Sequence, residues 1–164
     1  MILNNFWLWQ KNIQEHAGDG SLSRQSGFND TSGTGRDVNF GALNNYVVNN
    51  YSLTKDAIAT FGESTTEPSA TDYSLANDIT SDIGSVSITY AFESSGNVKR
   101  TIMISGTNTD TEAHTIRQVG IGKKMSAGGS DTKYDFLFAV CVLSNALTVP
   151  ANSDFVITLE WTES

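Results

Sequence analysis

Few side chains in this 164-residue chain are of types that perform chemistry, and their spacing limits what they can do. The two histidines, His16 and His114, belong to no HxH or HxxxH pair, so they do not form the usual metal clamp. Both read as surface histidines, His16 in an N-terminal arm and His114 in a turn. The single cysteine, Cys141, stands among Ala139, Val140, Val142 and Leu143. A thiol so placed behaves as a small apolar group, whereas a nucleophile needs an electropositive, partly open setting. Ser32 to Arg36 (SGTGR) has the glycines of a phosphate loop but lacks the GK[ST] ending whose lysine and hydroxyl hold phosphate and metal. It reads as linker.

The acidic positions Glu63, Glu67, Asp72, Asp78 and Asp82 lie in or beside polar loops. Carboxylates held about 5 to 10 Å apart hydrolyse glycosides, and about six to eight oxygens bind calcium. Calcium fits better than catalysis, yet DxDxDG spacing is absent, and an acidic loop also serves simply to keep a chain soluble. Taken together, these residues predict no catalytic, cofactor-binding or metal-ligating site.

Aromatic side chains offer stacking rather than reaction. Trp7, Trp9 and Trp161, with Tyr46, Tyr51, Tyr73, Tyr90 and Tyr134, are of the type that stacks on sugars. Tyr90 and Trp161 alternate with polar neighbours and read as core. Trp7 and Trp9 stand with Ile2, Leu3 and Phe6 near the N-terminus, ahead of a Gly/Ser-rich stretch. Two readings stay open. In one, Ile2, Leu3, Phe6, Trp7 and Trp9 bind a neighbouring subunit, and deleting Met1 to Gln14 leaves a folded domain that no longer assembles. In the other, the arm folds back onto its own domain.

The elements that must position these residues are mostly strands. Charged residues make up 17% of the chain and prolines number two, while Ser, Thr and Asn are plentiful, a balance that suits β-structure with polar loops. The formal net charge of −8, without a Lys/Arg cluster beyond Lys99-Arg100 and Lys123-Lys124, argues against nucleic acid and anionic membranes as partners. Met1 to Gln10 has no positive n-region and is too short to span a bilayer, so a soluble product outside the general secretory pathway is expected. One cysteine forms no intrachain disulfide, which suits a reducing cytoplasm.

Residues 1–36 read as an apolar arm and linker, and 37–164 as a β-domain. Within the arm, Phe6, Trp9 and Ile13 are spaced for one face of a short helix, with an extended arm as the alternative. Ala17 to Arg36 reads as loop. Val38 and Phe40, Tyr46 to Val48, and Ala57 to Phe61 are strand candidates, followed by a polar connection over Glu63 to Asp72. Val86, Ile88, Tyr90 and Phe92 alternate with small polar residues, turn at Ser95-Gly96-Asn97 and pair with Thr101 to Ser105 as a hairpin. Thr107 to Glu112 is a turn, Thr115 to Ile121 a strand, and Ser126 to Thr132 a loop. Phe136 to Leu143 (FLFAVCVL) is continuously apolar, as in a central strand covered on both faces. Phe155 to Thr162 alternates as a last strand. The fold class is all-β, an antiparallel sandwich or jelly roll with an N-terminal arm.

Three segments resemble a module of tailed-bacteriophage virion proteins. Phe61 to Leu75 (FGESTTEPSATDYSL) is similar to its turn, proline, small polar stretch, Asp and Leu. Thr115 to Ile121 (TIRQVGI) resembles its I-x-E-V-G-L/I strand, with Gln118 where Glu is usual. Phe136 to Trp161 (FLFAVCVLSNALTVPANSDFVITLEW) looks like its closing hairpin. The resemblance spans about residues 58 to 162. It implies a non-enzymatic β-sandwich of the virion, in capsid decoration, a minor capsid position or the tail, assembled in the host cytoplasm. It further implies symmetric oligomers packed on other virion proteins, and no catalytic residues or cofactors. The rival readings are a carbohydrate-binding, receptor-recognising module using Tyr51, Tyr73 or Tyr134 on a host glycan, and a small glycosidase using Glu63 or Asp72.

Overall fold

The computed structural model describes residues 1–16, 23–40, 56–93, 98–127 and 132–163. Two antiparallel three-stranded sheets face each other in a β-sandwich. One contains β3 (Ala57–Gly62), β6 (His114–Ser126) and β7 (Lys133–Val149) in the order β3-β6-β7. The other contains β4 (Ile83–Glu93), β5 (Val98–Asn108) and β8 (Asp154–Glu163) in the order β4-β5-β8. The period-two alternation sets the pairing: Ile88 lies opposite Ile104, and Ile104 opposite Ile157, so one apolar row crosses the whole sheet. Phe61, Ile104, Ile116 and Val119 are fully buried between the sheets, and Phe61 meets Phe155 edge-to-face at 5.4 Å.

The far face of β3-β6-β7 is also covered. Helix α1 (Asn4–His16) and the hairpin of β1 (Ser23–Asn29) and β2 (Gly35–Phe40) lie on it. A second core joins Phe28, Val38, Met125, Phe136 and Phe138, with Phe6 and Leu8 of α1 packed against it. A third small cluster joins Leu3, Leu75, Leu137 and Val140. Burial on both faces explains the apolar start of the β7 run, where Phe136, Leu137, Phe138 and Val140 are all buried, but not its end, where Val142 is 48% exposed. The position of the strand differs from expectation, because β7 is an edge strand by named pairing, flanked beyond, among the described residues, by the short bridge from Ile2 to Ala139. β6 slips register between Ile121 and Gly122, which brings the Phe136 carbonyl against Gly122. A Cβ there would collide with that oxygen, so the bulge requires glycine.

Several expectations change. The segment read as linker contains β1 and the start of β2, whose remainder includes the strand candidates Val38 and Phe40. Asp30 makes this possible: its Oδ1 accepts the backbone N–H of Ser32 and of Thr34, and its Oδ2 accepts from Arg36. Gly33, at φ +81°, completes the turn. Of the two readings of the N-terminal segment, the short helix is the one observed, and it lies on the sheet. β5 runs on to Asn108, shortening the expected turn, and His114 opens a strand rather than sitting in a turn. Lys123 and Lys124 form no patch: Lys123 is fully buried, and Lys124 pairs with Asp135 at 3.0 Å. The strand expected at Tyr46 to Val48 and the turn at Ser95 to Asn97 include residues outside those described, as do Ala17 to Leu22 and Gly128 to Asp131.

Candidate functional site

His114 is the centre of one polar cluster. Glu63 follows β3, and its Oε1 accepts the Thr115 backbone N–H at 2.7 Å while facing His114 Nδ1 at 3.3 Å. Asp82 ends a short 3-10 turn (Thr80–Asp82), and its carbonyl accepts the Thr109 N–H and hydroxyl. Asp110 lies in the β5–β6 turn, with Oδ2 at 3.1 Å from His114 Nε2; Asp82 Oδ2 is 3.7 Å from the same nitrogen.

The turn carrying Asp110 is held by Asn108, which is fully buried. Its carboxamide nitrogen donates to the carbonyls of Glu112, Val149 and Pro150, and its Oδ1 accepts the Asp110 N–H. One asparagine thereby ties the ends of β5, β6 and β7.

Both imidazole nitrogens face carboxylate oxygens, so the doubly protonated ring donates on both sides. Burial alone would lower the His114 pKa, but the hydrogen bonds to Asp110 and Glu63 and the charges of Glu63 and Asp82 raise it above 6.5. The Thr111 backbone N–H, followed by His114, holds the Asp110 carboxyl below its usual range. His114, Asp82 and Asp110 each place a ligand atom within 4.8 Å of the others, a set able to hold a divalent ion. With Nδ1 given to Glu63 and Nε2 to Asp110, the cation that this cage fits first is the imidazolium itself.

Of the acidic positions singled out by sequence, the fold thus brings Glu63 and Asp82 together. Asp78 instead accepts the Thr80 N–H, Asp72 accepts the Ser69 N–H, and Glu67 is exposed. Asp110 and Asn108 were missed. The only local hint was Asp110 standing four residues before His114. Cys141 is half-buried, and burial pushes its thiol pKa up, away from thiolate chemistry. SGTGR is the hairpin turn and the start of β2. Gln118 is buried, and its Nε2 donates to the Thr66 carbonyl, a bond that an ionised glutamate could not make.

The N-terminal residues divide. Leu3 is fully buried, and its N–H donates to the Phe138 carbonyl. Phe6 is half-buried and meets Phe138 edge-to-face at 6.2 Å. Ile2 is 41% exposed and Trp7 56% exposed. The Trp9 side chain lies outside the described residues. Asn5 locks the helix to the hairpin: its Nδ2 donates to the carbonyls of Asn29 and Leu137, and its Oδ1 accepts the Asn29 N–H. Beside this lock, α1, β1 and the Thr71-Asp72 loop enclose a groove of about 380 Å³. Of the tyrosines expected on a sugar-binding face, Tyr73 is exposed beside the hairpin turn, Tyr134 lies under Arg36, and Tyr51 is outside the described residues.

Comparison of the chain with family models, with curated proteins and with solved structures finds no match.

Proposed function

We propose that this chain is a non-enzymatic structural protein of a bacteriophage particle, a capsid-decoration, minor capsid or tail component that packs on other virion proteins and on copies of itself. The supporting observation is the outer face of β4-β5-β8. Alternation sends the core residues of these strands inward and leaves Ser87, Thr89, Ala91, Thr101, Met103, Ser105, Val156 and Thr158 across the middle of the opposite face. Charges stand at the ends of this stretch, Glu160 opposite Thr101 and Asp154 opposite Thr107, whose hydroxyl donates to the Asp154 carboxylate at 2.6 Å. Met103 is 44% and Val156 61% exposed.

A flat face of small hydroxyls and apolar side chains loses little on drying, because it holds almost no charge to desolvate. Interface centres are depleted in charge for the same reason. Assembly in the host cytoplasm and residence in the virion follow from this reading, as does a role without catalysis.

The test is the mass of the purified protein in solution, alone and after mixing with assembled heads or tails. The wild type should add to particles and saturate them, and a Met103→Glu/Val156→Glu variant, still folded because both positions are exposed, should not. A wild-type protein that ignores particles rejects the reading.

A further inference from the structure

The geometry points to a second activity, independent of the virion reading: the groove between α1 and β1 binds a neutral saccharide unit, with Trp7 as its stacking platform. About 380 Å³ suits one or two sugar rings, being at the small end of ligand pockets. A sugar presents a C–H face and a rim of hydroxyls that both donate and accept. The groove supplies the complement, an exposed indole at its edge and the polar side chains of Asn4, Lys11, Thr71 and Asp72 around it.

The platform is fixed in place. Trp7 meets Phe6 edge-to-face at 5.5 Å, and Phe6 meets Phe138 of the second core, so a chain of rings connects the indole to the sheet. The walls are fixed as well: Asn5 bonds helix to hairpin, and the Asn4 N–H donates to the Ala70 carbonyl, drawing the Thr71-Asp72 loop against the helix. Preorganised walls leave little ordering to be lost on binding.

Gly27 completes the cavity. At φ +95° it bends β1, and a Cβ there would stand 3.6 Å from Leu8 and fill the space beneath a ligand. The wall carries one residue of each charge, Lys11 and Asp72, so it offers no excess of cations to a sialylated or sulfated sugar, and the net charge of −8 disfavours one further, which makes the ligand neutral.

The experiment uses the full purified chain on a glycan array bearing neutral hexose and N-acetylhexosamine oligosaccharides beside sialylated and sulfated ones. Titration calorimetry with the best neutral glycan follows. Binding confined to neutral glycans is expected, weakened about tenfold by Trp7→Ala, weakened less by Asp72→Asn, and retained by Trp7→Phe, which keeps a ring face. An array without neutral binders, binding only to anionic glycans, or equal affinity in wild type and Trp7→Ala overturns the proposal. If Trp7→Ala lowers the thermal midpoint, Trp7→Phe and Asp72→Asn decide: unchanged affinity in Asp72→Asn together with lost affinity in Trp7→Phe overturns it too.

Discussion

On one face of the β3-β6-β7 sheet lies a second sheet; on the other lie a helix and a two-stranded hairpin. The first cover is built from β4, β5 and β8, with β5 paired along both edges over about its whole length. The second is built from a helix and two short strands that reach the sheet through Phe6, Phe28 and Val38 and through scattered backbone contacts, such as Leu3 to Phe138, Thr31 to Asp135 and the Val38–Ala127 bridge, rather than through a continuous ladder. Each region has one buried asparagine as its polar lock, Asn108 at the end of the sandwich and Asn5 under the helix. The difference teaches that equal burial does not mean equal cooperativity. A strand hydrogen-bonded on both sides leaves only with the whole sheet, whereas the helix and hairpin can open as a smaller unit.

The largest test of that contrast is a matched pair of core truncations. Phe61→Ala, between the sheets, should lower global stability by about 3–5 kcal/mol in denaturant unfolding. Phe28→Ala removes the same side chain from the second core, where both are fully buried in the native chain. Its effect should appear in native-state hydrogen exchange as lost protection in α1, β1 and β2, with β5 amides little changed. Equal loss in β5 would show that the two covers are one cooperative unit. By the same logic, deleting Met1 to Gln14, which removes Leu3 and Phe6 from their seats against β7, should loosen the hairpin and leave the sandwich folded.

The asparagine locks come next. Asn108→Ala strands three carbonyls and the Asp110 N–H, and a buried polar group left without its partner costs about 1–3 kcal/mol. It should therefore exceed Asn5→Ala, which leaves two carbonyls and one N–H. Thermal unfolding of both variants ranks them, and the reverse order would count against the sandwich end as the more rigid region.

A pH scan separates the regions further. The folded-state pKa of His114 is raised above 6.5, so its contribution is fully present below that pH and lost as pH rises through the folded value. Asp110 and Asp30 have folded pKa values below 3.8; their contributions are present above that pH and lost as pH falls through the folded values. Acid should loosen both the sandwich end and the β1–β2 turn, while the loss that begins above pH 6.5 belongs to the His114 cage, with Cys141 and Tyr90 adding their own losses above 9.0 and 10.0 because burial raises their folded values. His114→Gln should abolish the decline in thermal midpoint that starts near neutral pH and leave the acid limb in place. The smallest effect is expected for Tyr90→Phe. The Tyr90 hydroxyl is buried without a partner among the described residues, so its removal should change stability by about 0.5 kcal/mol or less in denaturant unfolding.

Much of the sandwich was legible because alternation is a local signal. The alternation around Ile88 and Tyr90, Ile102 and Ile104, and Phe155 to Leu159 states which residues face inward before any partner is known. Val86, which reads as part of the same row, is instead 38% exposed beside the β4 bulge. The β1–β2 hairpin was hidden because Phe28 and Val38 are its main apolar anchors and Gly27 interrupts the alternation between strand ends. Its stability comes from Asp30 organising a turn and from a sheet face that the local sequence does not display. The His114 cage was hidden for a different reason. Glu63 and Asp82 come from the two ends of the β3–β4 connection, and Asp110 and His114 from the β5–β6 turn and the first residue of β6, so no local spacing joins the two pairs.

The sequence by itself determined the strand-rich class, the inward rows of β4, β5 and β8, and the burial of Phe136 to Phe138 on β7, since each is written in side-chain period and hydrophobicity. Only the tertiary structure decided between a helix and an extended arm for the N-terminal segment, paired a Gly/Ser-rich stretch as strands, and closed three carboxylates around one imidazole. Those outcomes depend on which surfaces meet, and a chain's local pattern specifies the faces it offers without specifying the faces it will find.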